Sequence, residues 1–237
     1  MKAMILAAGR GERMRPLTDH TPKPLLMVGD DPLIVWHIKR LKKAGFNRVV
    51  INHAWLGEQI EQTLEDGAQW GVSIQYSPEL QGGLETAGGI ATALPLLGEN
   101  PFLVVNGDIF TNIDFSALRK KADLLIENHL LAHLILTAFN PEHHPKGDFA
   151  LTEDGFALAQ VDSEQIPRFT FSGVGVYHPK LFEHTAAHKK AKLAPLLREA
   201  MENRLVSAEK HHGLWLDVGT TERLEKANEL AKSGTIQ

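Results

Sequence analysis

The 237-residue sequence predicts an α/β fold, a single domain with a mixed, mainly parallel sheet flanked by helices. Two observations predict it. Short apolar runs alternate with amphipathic stretches of helical period, the pattern of βαβ units. One of those runs, Phe102-Leu103-Val104-Val105, is almost continuously apolar, as a parallel strand buried on both faces must be. Right-handed crossovers would then gather the loops that follow the strands on one edge, where ligands bind.

Residues 3–8 (Ala-Met-Ile-Leu-Ala-Ala) form the first strand and empty into Gly9-Arg10-Gly11-Glu12-Arg13-Met14-Arg15-Pro16-Leu17-Thr18. Residues 32–45 read as a helix, with Pro32 in its first turn, Ile34, Ile38 and Leu41 on one face, and lysines and Gly45 at its end. Val49-Val50-Ile51 is the next strand, Leu56, Ile60 and Leu64 mark a second helix, and residues 72–76 alternate like a strand. A turn-rich stretch, 77–83, precedes a third helix from 84 to about 97. The apolar strand 102–105 ends in Asn106-Gly107-Asp108. Beyond it the sequence predicts a helix over 115–128, strands over 130–139 and 169–177, and short β pieces around Gly147-Asp148-Phe149 and Ala157-Leu158. A helix through Leu193, Leu197 and Met201, strand pieces at 206–208 and 214–216, and a last helix over 221–231 complete the chain. No repeat or linker divides it.

Composition narrows the function. Hydrophobic residues make up 43% and charged residues 23%, as in a soluble globular protein. The net charge of −4 argues against a general nucleic-acid binder. No apolar run approaches a membrane span and no secretory signal opens the chain, so a cytoplasmic protein without membrane contact is expected. The absence of cysteine excludes disulfides, thiolate catalysis and a cysteine zinc site.

Within this mildly acidic chain the first loop is locally positive. No acid precedes Glu12, and Lys23 follows in Thr21-Pro22-Lys23-Pro24-Leu25. A strand that gives way to glycines and cations can wrap backbone N–H groups around a polyphosphate. It is not a dinucleotide fingerprint, since Met14 stands where the third glycine belongs and the second strand ends in Asn52-His53 rather than an acid. Nor is it a Walker A loop, because no Gly-Lys-Ser/Thr follows. Asp108 lies just past the end of an apolar strand, on the ligand-binding edge.

The residues from Leu6 to Thr18, with Pro22-Lys23-Pro24-Leu25, resemble the signature of the sugar-1-phosphate nucleotidylyltransferases. The resemblance continues through Asn106-Gly107-Asp108, Gly147-Asp148-Phe149, Phe171-Ser172-Gly173 and Trp215-Leu216-Asp217-Val218-Gly219-Thr220, and so spans nearly the whole chain. Ile51-Asn52-His53-Ala54-Trp55-Leu56-Gly57, His143-His144 and Lys192-Leu193-Ala194-Pro195-Leu196-Leu197-Arg198 carry a narrower likeness, to members that load UMP from UTP onto N-acetylmuramate α-1-phosphate in bacterial cell-wall recycling.

The resemblance implies the nucleotide-diphospho-sugar transferase fold, with 1–114 holding the nucleotide and 115–237 the sugar phosphate. It implies Arg13 as catalytic arginine, Lys23 on the nucleotide phosphates, and Gly9, Gly11 and Glu12 around the phosphate cradle. Base selection falls to Glu79, Gly83, Glu85 and Thr86, and the sugar to Asn106, Gly147 and Asp148. Asp108 and Asp217 match ligands of Mg²⁺. Partners are then UTP and a sugar 1-phosphate, acting on a monomer or a dimer.

One departure stands out. Many members carry Glu-Lys-Pro where this chain reads Gln160-Val161-Asp162-Ser163-Glu164. Asp162 is the candidate for the glutamate, and Lys146 or Lys192 for the lysine that meets the sugar phosphate. Rival readings are a thymidylyl or guanylyl transfer to glucose or mannose 1-phosphate, and a non-catalytic sugar-nucleotide sensor; intact Arg13, Lys23, Asp108 and Asp217 speak against the sensor. The twelve histidines read as solvated loop residues, Lys39, Arg40, Lys42 and Lys43 as the wet face of the first helix, and Trp215 as a wall near Asp217.

Overall fold

The computed structural model describes residues 1–80, 82–160 and 166–234. Strand β1 (Ala3–Ala7) enters a loop of three single 3₁₀ turns, and β2 (Met27–Val28) and β3 (Asp31–Pro32) form a small hairpin before α1 (Leu33–Lys43). Then follow β4 (Arg48–His53), α2 (Gly57–Leu64), β5 (Ser73–Pro78), α3 (Glu85–Leu97), β6 (Phe102–Asn106), β7 (Ile109–Thr111) and α4 (Phe115–Glu127). The second half holds β8 (Ala132–Thr137), β9 (Phe149–Leu151), β10 (Ala157–Leu158), β11 (Arg168–Phe169), β12 (Phe171–Tyr177), α5 (Leu193–Glu202), β13 (Val206–His211), β14 (Trp215–Asp217) and α6 (Thr221–Lys232).

A seven-stranded sheet, ordered β13-β8-β12-β6-β1-β4-β5, runs through both halves. β1 pairs in parallel with β4 and β6, β4 with β5, and β13 with β8, while β12 alone runs against its neighbours. This is the mixed, mainly parallel sheet that the alternation of elements predicts.

Side-chain alternation along β1 explains the layering. Ala3, Ile5 and Ala7 face a core made with Ile34, Ile38 and Leu41 of α1, Ile60 of α2 and Leu118 of α4. Met4 faces the other side, with Ile90 and Leu97 of α3 and Leu197 and Met201 of α5. A third, smaller core lies under the Gly-rich loop: Met14, fully buried, packs with Leu26, Val28, Phe110, Val218 and Ala227. The loop is thereby anchored from below.

Two expectations need correction. The strand predicted over 169–177 is broken at Thr170, whose N–H and hydroxyl both donate to Asn140 Oδ1, at 2.7 and 2.9 Å. Phe169 therefore pairs with β9 in a separate three-stranded sheet, and only residues from Phe171 onward join the main sheet. Arg40 is not on a wet face either. Its guanidinium lies over the Phe115 ring, 4.6 Å from the centroid, and donates to the carbonyls of Thr111 and Ile113; burial lowers its pKa to about 10. Helix α1 thus grips the chain just beyond β7 with a cation that charge patterning alone assigns to solvent.

Candidate active site

The loops after β1, β5 and β6 meet at the C-terminal edge of the parallel strands and enclose a cleft of about 600 Å³. Gly9, Gly11, Glu12, Arg13, Lys23, Glu79, Gly83, Glu85, Thr86, Asn106 and Asp108 all line it. A neighbouring cleft of about 320 Å³ shares Arg13, Asn106 and Asp108 and adds Asp217, His143, His144 and Trp215.

The loop after β1 is shaped by Gly11, whose φ is +69°. A Cβ there would lie 3.0 Å from Thr18 Cγ2 and 3.2 Å from Lys23 Cβ, so the position demands glycine for both conformation and room. The Gly11 carbonyl accepts from Met14 N–H (2.9 Å) and Thr18 Oγ1 (2.8 Å). Among the described residues, no acceptor meets the N–H groups of Gly9, Arg10, Gly11 and Glu12. The four residues line the cleft, which places unpaired N–H groups where a phosphate cradle requires them.

The loop's arginines diverge. Arg10 stacks on Trp55, 4.1 Å from the ring centroid, and Arg15 is paired with Asp19 at 2.7 Å. Arg10 and Arg13 both line the cleft, and one of the Arg13 guanidinium nitrogens stands 2.9 Å from where a Cβ on Gly219 would be. Lys23, 7% exposed, places Nζ 2.7 Å from Asp108 Oδ2.

Asp108 and Asp217 are brought together by backbone pairing. Antiparallel β7 and β14 set Asp217 opposite Ile109, and Val218 N–H donates to the Asp108 carbonyl at 2.7 Å. Asp108 uses one carboxylate oxygen for Lys23, and Asp217 uses Oδ1 for Arg223 (3.0 Å) and His143 (3.1 Å). Asp108 Oδ1 and Asp217 Oδ2 have no partner among the described residues. No group of three His, Asp or Glu able to hold a metal occurs among those residues. A pair of carboxylates suits an ion that completes its shell with phosphate oxygens and water, so the residues fit Mg²⁺.

At the other end of the cleft Glu79, 4% exposed, is a brace. Its carboxylate accepts from Asn52 Nδ2 (2.7 Å) and Leu84 N–H (2.6 Å), and Asn52 Oδ1 in turn accepts from Ala7 N–H (3.0 Å). Burial pushes the Glu79 carboxyl up, against these two hydrogen bonds. Glu79 therefore ties the end of β1 to the start of α3, where Glu85 and Thr86 face the cleft. Glu85 holds φ +61°, an uncommon conformation for a side-chain-bearing residue at a site edge.

A family profile for nucleotidyl transferases matches residues 2–234. The chain belongs to the nucleotidyl transferase family. Among its relatives this nucleotidyl transferase is 61% identical to an N-acetylmuramate α-1-phosphate uridylyltransferase of Neisseria meningitidis serogroup B, over 98% of each chain. A protein of the same name from Caulobacter vibrioides is 32% identical over 92% of this chain and 91% of its own. The β catalytic subunit of a Xenopus tropicalis mannose-1-phosphate guanylyltransferase is 28% identical over 92% of this chain and 61% of its own. A crystal structure from Bacillus anthracis, provisionally assigned as a glucose-1-phosphate thymidylyltransferase, superposes with a TM-score of 0.84 at 21% identity, covering all of this chain and 97% of that one. That likeness carries the fold: mixed α/β, as the sequence predicts.

The remaining expected residues of this nucleotidyl transferase lie elsewhere. Gly147 and Asp148 line neither cleft: Gly147 turns the chain at φ +62° against Arg168, and Asp148 accepts from Phe171 N–H (2.8 Å) and pairs with His144 (3.1 Å). Asp162 lies outside the described residues. Lys146 and Lys192 are exposed and line neither cleft.

The histidines also need correction, since His37, His53 and His133 are buried, and His143 and His144 line the smaller cleft. The His143-His144 pair carries the narrower likeness but no site role in the sequence, because adjacent histidines rarely share one ion, and Arg223 sits in a helix of alternating charge that reads as solvated. The adjacency of Arg223 to the Asp217-Val218-Gly219-Thr220 motif was the available signal.

Proposed function

We propose that this nucleotidyl transferase moves UMP from UTP to N-acetylmuramate α-1-phosphate, giving UDP-N-acetylmuramate and pyrophosphate, in the cytoplasmic recycling of cell-wall sugar. The observation that carries the transfer is the convergence, in two joined clefts, of free loop N–H groups, Arg13 and Lys23 with the carboxylates of Asp108 and Asp217. The 61% identical relative, matched end to end, supports the choice of acceptor and nucleotide.

The larger cleft takes UTP. Its triphosphate lies on the N–H groups of residues 9–12, with Lys23 released from Asp108 to meet it. The smaller cleft takes the sugar 1-phosphate beside Asn106 and Trp215. A phosphate oxygen of the acceptor forms a bond to the α-phosphorus as the bond to the β-phosphate oxygen breaks, and the electron pair departs with pyrophosphate. Charge accumulates on the leaving group, where the planar fork of Arg13 can bridge two oxygens. Mg²⁺, held by Asp108 and Asp217, neutralises the crowded phosphates when bound. Glu79, Gly83, Glu85 and Thr86 border the place of the base.

The test is pyrophosphate release across a matrix of UTP, dTTP and GTP against N-acetylmuramate, glucose and mannose 1-phosphates. UTP with N-acetylmuramate 1-phosphate should exceed every other pair in kcat/KM. A pair that matches or exceeds it overturns the assignment of substrates.

A further inference from the structure

Asp217 is held unsymmetrically, and the groups that hold it come from parts of the chain distant in sequence. Arg223, in the first turn of α6, donates from Nη1 to Asp217 Oδ1 at 3.0 Å. His143, in the connection between β8 and β9, brings Nε2 to the same oxygen at 3.1 Å. Arg223 Nη1 also contacts the His143 ring, 2.9 Å from Nδ1 and 2.8 Å from Nε2. A guanidinium can only donate, so one ring nitrogen must accept from it. The ring thus accepts from Arg223, and its Nε2 lies beside Asp217 Oδ1. The three groups form a closed set.

Space around the set is restricted. The Arg223 side chain is 16% exposed, and a Cβ on Gly219 would lie 2.6 Å from Arg223 Nη2 and 3.2 Å from Asp217 Oδ2. Arg223 itself lines neither cleft, so it acts from behind the carboxylate rather than on a substrate. Arg223 donates to Oδ1 and the His143 ring lies against it, which leaves Oδ2 as the oxygen available to a ligand.

We infer that Arg223 and His143 are positioning residues for Asp217: Arg223, supported by the His143 ring, ties back Oδ1, fixes the carboxylate plane, and so presents Oδ2 to the divalent cation. This rests on the metal role proposed above for Asp217. Donors behind a ligating carboxylate commonly set metal affinity by tenfold or more. The two residues are not equivalent electrostatically, since a guanidinium beside a cation site also repels the ion. Removing the His143 ring tests its support of the Arg223 fork, and Arg223→Lys keeps the charge while losing the planar fork.

The experiment is a titration of Mn²⁺, standing in for Mg²⁺, into the intact protein with UTP but no acceptor, with free Mn²⁺ read by electron paramagnetic resonance. His143→Ala and Arg223→Lys should each raise the Kd roughly tenfold, with the thermal midpoint of the metal-free protein unchanged. His143→Gln, which keeps a polar acceptor for Arg223, should recover part of the loss, and His144→Ala, whose ring is paired with Asp148, should leave the Kd unchanged. A Kd within twofold of wild type in both His143→Ala and Arg223→Lys overturns the inference. Asp217→Asn separates the two levels: if it too leaves Mn²⁺ binding intact, the metal role of Asp217 falls; if it alone weakens binding, only the positioning role falls.

Discussion

Lys23 and Asp108, 85 positions apart in sequence, form an ion pair at 2.7 Å at the junction of the two clefts. The ammonium is nearly buried and the carboxylate is 41% exposed. Each member thus holds the other in the place where phosphate and metal would claim them separately. Ordering both charges before substrate arrives lowers the reorganisation needed during transfer.

Breaking this pair should cost turnover more than folding. Lys23→Met and Asp108→Asn are each expected to lower kcat by roughly 10²-fold or more. The double variant should lose less than the product of the two, because the residues act as one unit. Steady-state rates, with circular dichroism to verify folding, read both.

Gly11→Ala should damage structure and nucleotide binding together. Its φ of +69° is unfavourable for alanine, and the added methyl would press on Thr18 and Lys23 at 3.0 and 3.2 Å. A loss of about 1–3 kcal/mol in denaturant unfolding is expected, with a higher KM for UTP. An unchanged midpoint would show that the loop relaxes freely.

Asn52→Ala tests the brace behind the nucleotide cleft. Asn52 is 2% exposed and links Ala7 N–H to the Glu79 carboxylate. Its loss leaves a buried donor and a buried acceptor short of partners, at about 1–3 kcal/mol. Because Glu79 also holds Leu84 N–H, the KM for UTP should rise while the KM for the acceptor stays near wild type. Separate substrate titrations distinguish the two.

Far from the clefts, Glu209 should govern part of the acid response. The His133 imidazole and the Lys121 ammonium, 3.6 and 2.6 Å from its Oε2, hold the carboxyl down at about 2. A carboxyl depressed in the folded state stabilises it above the ordinary value, and that stability is lost as pH falls toward the folded pKa. Wild type should therefore lose about 1 kcal/mol more than Glu209→Gln between about pH 5 and pH 2, a modest figure because water screens the half-exposed group. Paired melts across this range measure the difference.

The legibility of the molecule follows the range of the interactions involved. The helices and most of the sheet strands announce themselves by period, since burial of one face or of two leaves a local pattern. The break at Thr170 does not, because it depends on Asn140, 30 residues away. Arg40 looks solvated in any window of its own helix, and becomes a half-buried clamp only because β7 and α4 pass beside it. Gly9 to Arg13, Lys23 and the two aspartates were visible as residue types suited to phosphate and metal.

The sequence by itself determined the α/β class, the family and the inventory of charged groups for a transfer between phosphates, because those depend on local period and on a contiguous motif. The tertiary structure decided which groups could act as one site. Pairing of β7 with β14 brings Asp217 beside Asp108, and contacts with Trp55 and Asp19 hold Arg10 and Arg15 while Arg13 faces the cleft with no such partner among the described residues. It also set His143 and Arg223 beside Asp217, an arrangement made by elements 80 residues apart that no local pattern encodes. The physical reason is common to all of these: a charge acquires its role from what it is near, and nearness across the chain is settled by packing.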